Sequence, residues 1–347
     1  MLSRETLFLR AGAHPMRDLE LYRPRCGWRH RVEEREAVAA DRMLDLPINE
    51  SLAKLGRAVC EQRLRADVEH LSGYPTRHTL SSHLRDAAQW LEQQFRNAGY
   101  TEVERQSITR RIPQRNRAMT FFNVICRKPG AGADRRVVCA HFDSRTKAPL
   151  DSKSEAPGAN DNATGVAVLL ECARLLSQIR LPDTIEFAAV SGEEQGLWGS
   201  TRYASDLSHQ GAHLRFMLNI DEVGFPNAHR EVIVEHDTGN HLRRNNRASR
   251  ELAKDVVAVA THHLGIPAKH AGIVDSDYMP FEARGYVTLG LYESGNYDEF
   301  RHTARDTIDG VNFAYVADVT RVALTALLWQ GPGERPAAKR GAPQAAG

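Results

Sequence analysis

The sequence predicts an α/β protein, a three-layer sandwich in which helices flank a mixed, largely parallel central sheet. Two observations carry this expectation. Short apolar runs of strand length alternate with longer amphipathic runs from Thr120 onward, the order expected of strand and helix units packed on one sheet. Acidic and histidine side chains also stand just past successive strand-like runs, where an open α/β sheet places its ligand site.

The elements follow in order. A helical pattern begins near Ile48, with Leu52, Leu55, Val59, Val68 and Leu71 at helix spacing, and SGYP breaks it. A second helix places Leu80, Leu84, Ala88, Leu91 and Phe95 on one face, with Gly99 at its C-terminal cap. TFFNVICR and RRVVCAHFD read as strands and ATGVAVLLECARLLSQI as a helix. TIEFAAVS and LRFMLNID read as strands, ASRELAKDVVAVATHHL as a helix, VTLGLY as a strand and FAYVADVTRVALTALLWQ as the last helix. No internal repeat interrupts this order.

Residues 1–46 are arginine-rich with weak periodicity and read as a poorly ordered extension. Residues 47–330 form the single expected domain, and the Pro-, Gly- and Ala-rich residues 331–347 read as a disordered tail. The 347 residues are 41% hydrophobic and 26% charged, enough to bury a sizeable core. A net charge of only +2 gives no basic field for nucleic acid, and no apolar run approaches a membrane span. Without an apolar signal segment the expected compartment is the cytoplasm, or a secreted or periplasmic one if the true start differs. Five cysteines without metal-type pairing, three of them in apolar runs, suit buried thiols.

The strand ends carry His141 and Asp143, then Glu193 and Glu194, then Asp221, then a loop with His302; Asp161 precedes the helix after His141. Ser191 and Glu194 alone fit a helix capping box. Converging carboxylates, however, repel each other without a cation. Asp161, Asp221, Glu194 and Glu193 give four negative charges, which two divalent zinc ions balance. Zinc favours such nitrogen and carboxylate donors, and paired ions clamp a bridging water while polarising a scissile carbonyl. Adjacent glutamates serve one site only at a turn, and Gly192 and Gly196 supply it. Asp143, two residues from His141, can orient the imidazole.

In that order AHFDS, GANDNATGVA, SGEEQGLWGS, NIDEVG and HTARDT resemble metallopeptidase family 28, the co-catalytic di-zinc aminopeptidases, over roughly Leu71 to Gln330. The resemblance extends to LSGYPTRHTL as a leading helix and to the NVIC strand. It implies a zinc exopeptidase fold and peptide substrates with a free N-terminus. By that resemblance His141, Asp161 and Asp221 hold one zinc, Asp161 bridges, and Glu194 and His302 hold the second. Glu193 is then the general base for a metal-bridged hydroxide, and the Asp161–Asn162 peptide is expected to be cis.

The chain departs from the family twice. Ser276, Asp277 and Tyr278 stand where a Ser-Asp-His is frequent, and Arg301 replaces a tyrosine before the last histidine. Asp277, Tyr278 and Arg301 are candidate substrate contacts; Arg301 suits an oxyanion, a substrate carboxylate or plain solvent. Asp306 is expected to support the His302 loop. THHLGIPAKH is expected at a helix end, where histidine suits the dipole, and EHDTGNH (Glu235 to His241) in a surface loop. Two other chemistries of the same fold stay open, glutaminyl-peptide cyclisation with a single zinc and carboxypeptidase-type hydrolysis. No Gly-x-Ser-x-Gly elbow, phosphate loop or His-Glu-x-x-His helix is present.

Overall fold

The computed structural model describes residues 50–112, 117–238, 243–273 and 275–329. The extension and tail expected at residues 1–46 and 331–347 lie outside them. Helices α1 (Glu50–Ala58), α2 (Glu61–Ser72) and α3 (His83–Asn97) lead into strands β1 (Val103–Ile112), β2 (Arg117–Lys128) and β3 (Arg135–His141). Helix α4 (Thr164–Leu176), β4 (Thr184–Val190), α5 (Trp198–His209), β5 (Leu214–Ile220) and β6 (Val232–His236) follow. The remainder is α6 (Arg243–His263), β7 (Ala268–Gly272), the short α7 (Met279–Glu282), β8 (Thr288–Tyr292) and α8 (Phe313–Leu328).

These strands form one sheet in the order β1-β2-β4-β3-β5-β8-β6-β7. The central run β4-β3-β5-β8 is parallel, β1-β2, β2-β4 and β6-β8 are antiparallel, and β6-β7 is parallel. Strand side chains alternate between two cores, as the two-residue period requires. On β3, Val138 and Ala140 face the larger core with α2, α3, α4, α6 and α8, while Val137 and Cys139 face the smaller one with α5 and α7. The three-layer sandwich is therefore the fold expected from the sequence. Gly165 lets α4 approach β5 closely, since a Cβ there would lie 2.4 Å from the Ile220 carbonyl.

Several local expectations are corrected. The first helix is two, because Cys60 is extended (φ −119, ψ 110), and LSGYPTRHTL is a loop after Ser72 rather than a leading helix. Strands β1, β6 and β7 lay unrecognised in the sequence. EHDTGNH is not a surface loop at its start: Glu235 and His236 finish β6 and are buried, with Asp237 after them. His241 lies outside the described residues. His270 of THHLGIPAKH sits in β7, not at the helix end, and is buried beside His236 with ring centroids 5.3 Å apart. Cys126, Cys139 and Cys172 are buried free thiols and Cys60 is half-buried and free. Among the described residues no helix is long and apolar enough to cross a membrane.

Candidate active site

The four parallel central strands end on one edge of the sheet, and their ends carry the acidic and histidine residues. His141 closes β3, Asp221 follows β5, and His302 lies in the loop after β8. Past β4 the chain turns at Gly192 (φ +77) and Gly196 (φ +119), the left-handed region that glycine tolerates. This turn brings Glu193 and Glu194 to one place. Three backbone bonds close it, from Gly196 N (2.8 Å) and Leu197 N (3.0 Å) to Glu193 O and from Trp198 N to Gly192 O (2.9 Å).

The capping-box reading of Ser191 is overturned. Its hydroxyl donates to Phe122 O (2.8 Å), its N–H donates to Asn123 Oδ1 (3.0 Å), and the next helix begins only at Trp198.

Asp161 lies in a kinked segment ahead of α4, and its peptide bond to Asn162 is cis, as the family resemblance implied. His141 Nε2 lies 3.4 Å from Asp161 Oδ1 and 3.2 Å from Asp221 Oδ1. His302 Nε2 lies 3.0 Å from Asp161 Oδ2 and 3.0 Å from Glu194 Oε2. Two triads result, His141-Asp161-Asp221 and Asp161-Glu194-His302, each with ligand-type atoms within 4.8 Å of one another, and Asp161 belongs to both. All five expected ligand residues are thus brought together. Glu194 Oε1 is buried without a hydrogen-bond partner, a cost of about 1–3 kcal/mol unless something binds there. That donor set fits divalent zinc.

Glu193 is half-buried beside the cluster. Burial pushes its carboxyl well above the usual range; His141 opposes this, and Glu194, Asp277 and Asp221 add to it.

Asp143 does more than orient His141. Its carboxylate stands 3.7 Å from His141 Nδ1, while its backbone carbonyl is nearer, at 3.2 Å. The two carboxylate oxygens accept the backbone N–H groups of Glu193 (3.4 Å) and Glu194 (3.3 Å), and Oδ2 also accepts Thr79 Oγ1 (3.3 Å). Asp143 therefore ties the glutamate turn to the end of β3. Ser276 donates to Asp221 Oδ2 at 2.7 Å and holds that ligand from the other side.

Asp277 and Tyr278, expected as substrate contacts, are both buried, Tyr278 within the smaller apolar core. Burial raises the Asp277 carboxyl to about 7 against the pull of His141. Arg301 is not a solvated surface residue: its Nε donates to Asp161 Oδ2 (3.2 Å) and stands 2.9 Å from Glu222 Oε1. Asp306 supports the His302 loop as expected, and also accepts the backbone N–H groups of Asn160 (2.7 Å) and Asp161 (3.0 Å).

Sequence reasoning passed over Arg145 and Glu222. Arg145 Nε donates to Glu194 Oε2 at 2.6 Å, and Glu222 accepts Tyr292 Oη at 2.5 Å. Both flank residues already singled out, Arg145 after AHFDS and Glu222 after Asp221.

The family model described as "Peptidase family M28" matches residues 123–327. A probable zinc metalloprotease of Pyrenophora teres f. teres is 34% identical over 192 residues, covering 51% of this chain and 40% of that protein. The chain thus spans well under half of that relative's length. A probable leucine aminopeptidase of Arthroderma otae is 27% identical over 279 residues, covering 76% of this chain and 71% of that protein. Among solved structures, an aminopeptidase from Aneurinibacillus sp. strain AM-1 superposes with a TM-score of 0.66 at 18% identity, over 80% of this chain and 95% of that one. A glutaminyl cyclase from Porphyromonas gingivalis gives 0.65 at 19%, over 78% and 98%. At such identities the two structures share the fold alone. With the family model spanning strands β3 to β8, the glutamate turn and all five residues of the two triads, the chain belongs to peptidase family M28.

Proposed function

We propose that the chain is a zinc-dependent exopeptidase, an aminopeptidase that removes single residues from peptides with a free N-terminus. The observation that carries this reading is the pair of triads sharing Asp161, with Glu193 beside them. His141, Asp161 and Asp221 would hold one zinc ion, and Asp161, Glu194 and His302 a second. Bound there, zinc would supply Lewis acidity toward the scissile carbonyl and toward water.

The chain's own residues do the rest. Glu193, off both triads, takes the proton of the attacking water and returns it to the leaving amine. Asp143 fixes the position of Glu193 through the backbone of the turn. Ser276 and Arg301 hold two of the carboxylates in register.

Mass spectrometry of free and N-terminally blocked peptides, incubated with chelator-stripped and zinc-restored protein, tests the proposal. Zinc-dependent loss of single N-terminal residues from the free peptides alone is expected. Loss of ammonia from glutamine peptides without shortening, or trimming from the other end, would replace the aminopeptidase with the cyclase or the carboxypeptidase.

A further inference from the structure

Two guanidinium groups flank the Asp161-Glu194-His302 triad, and each approaches through Nε. Arg145 Nε holds Glu194 Oε2 (2.6 Å) and Nη1 donates to Thr146 O (3.2 Å). Arg301 Nε holds Asp161 Oδ2 (3.2 Å) and pairs with Glu222, which Tyr292 holds in turn. The same two carboxylate oxygens face His302 Nε2, so the arginines stand on either side of one subsite.

Their remaining donors are unspent. Among the described residues Arg145 Nη2 and both Nη atoms of Arg301 have no hydrogen-bond partner, and none of these atoms is a buried orphan, so they reach solvent. The side chains of Asp161 and Glu194 are 2% exposed, against 11% for Arg145 and 23% for Arg301. The guanidiniums are therefore the wetter side of the subsite.

A guanidinium matches a carboxylate with two parallel N–H groups, either its two terminal nitrogens or Nε with one of them, whereas each arginine here spends only Nε on the acids. Here the side of the group is anchored and fork donors are left over. An anchored guanidinium loses little freedom on meeting a ligand, which favours binding.

We propose that Arg145 and Arg301 form a carboxylate clamp beside the triad, and that the preferred peptide substrates carry a carboxylate next to the bond that is cut. This rests on the exopeptidase reading above. The carboxylate has two possible sources, the side chain of an acidic N-terminal residue or the terminal carboxylate of a dipeptide.

The test uses isosteric pairs that differ only in charge. With zinc-restored protein, kcat/KM is compared for Asp-Ala-Ala-amide against Asn-Ala-Ala-amide, and for Leu-Ala against Leu-Ala-amide. In at least one pair the carboxylate member is expected to be favoured tenfold or more, and the pair that responds identifies the source. Arg145→Gln and Arg301→Gln should each lower that ratio at least fivefold, with the lysine variants restoring part of it. Ratios near one in both pairs overturn the clamp. If no peptide is cut, the exopeptidase reading fails instead, and calorimetric binding of the same four peptides decides the clamp. Tighter binding of a carboxylate member, lost in the glutamine variants, supports the clamp; equal binding within both pairs overturns it.

Discussion

Asp306 accepts the backbone N–H of Asp161 at 3.0 Å, joining the loop after β8 to the segment that carries the residue shared by both triads. Its other oxygen takes Asn160 N (2.7 Å) and Tyr297 Oη (2.8 Å). Asp306→Ala leaves these buried donors unpaired, at about 1–3 kcal/mol for each group. The expected outcome is a lower melting temperature together with weaker zinc retention against a chelator. Unchanged zinc retention would show that the loop does not position Asp161.

Asp161 gives one oxygen to each histidine, Oδ1 to the His141 side and Oδ2 to the His302 side. Asp161→Ala should therefore empty both metal subsites and reduce stability, read as zinc per chain by plasma mass spectrometry with a parallel thermal melt. Full zinc occupancy in this variant contradicts the shared role.

Far from the site, Arg136 is 2% exposed and pairs with Asp183 at 2.6 Å, while its Nη1 donates to Leu327 O and Trp329 O, both at 2.7 Å. Asp183→Ala leaves this buried charge poorly compensated and should cost about 3–5 kcal/mol in a denaturant melt. The zinc content of the folded fraction should not change. A loss below about 1 kcal/mol would mean that water and the Leu327 and Trp329 carbonyls compensate the Arg136 charge without Asp183.

His236 and His270 form a buried pair with their rings tilted 51° to each other, and burial lowers both imidazoles below their usual range. Arg250 and Lys254 on α6 lower both further; Glu251 opposes this at His270, and Asp237 opposes it at His236. A depressed histidine binds fewer protons folded than unfolded, so stability is complete above about pH 6.5 and falls as the pH drops through that value. Thermal melts between pH 7.5 and 5 should show this loss, and His270→Phe should flatten it. An unchanged slope in that variant assigns the acid sensitivity elsewhere.

Much of the site was legible because each ligand follows a strong strand or precedes a strong helix, so that topology alone brings His141, Asp161, Glu194, Asp221 and His302 to one edge. The missing strands are those with weak patterns. VERQSITRRI of β1 is an edge strand with one largely solvent-facing side, so its apolar content is low. AKHAG of β7, the other edge, has no β-branched residue, and VIVEH of β6 is only five residues long. The roles of Arg145 and Glu222 depend on partners 49 and 79 positions away, Glu194 and Arg301, and no local spacing encodes such pairs. A capping box and an active-site turn share one tetrapeptide at Ser191, so only the other strand-end acids decided between them in the sequence, and the hydrogen bonds to Phe122 and Asn123 agree with the turn.

Glu193→Gln, assayed for zinc content and turnover in one preparation, tests the central claim that Glu193 moves the proton above a zinc cluster it does not itself bind. Wild-type zinc content is expected, with kcat lower by about 10²–10⁴, the contribution of a positioned general base. Near-normal turnover, or loss of zinc in step with activity, would contradict it.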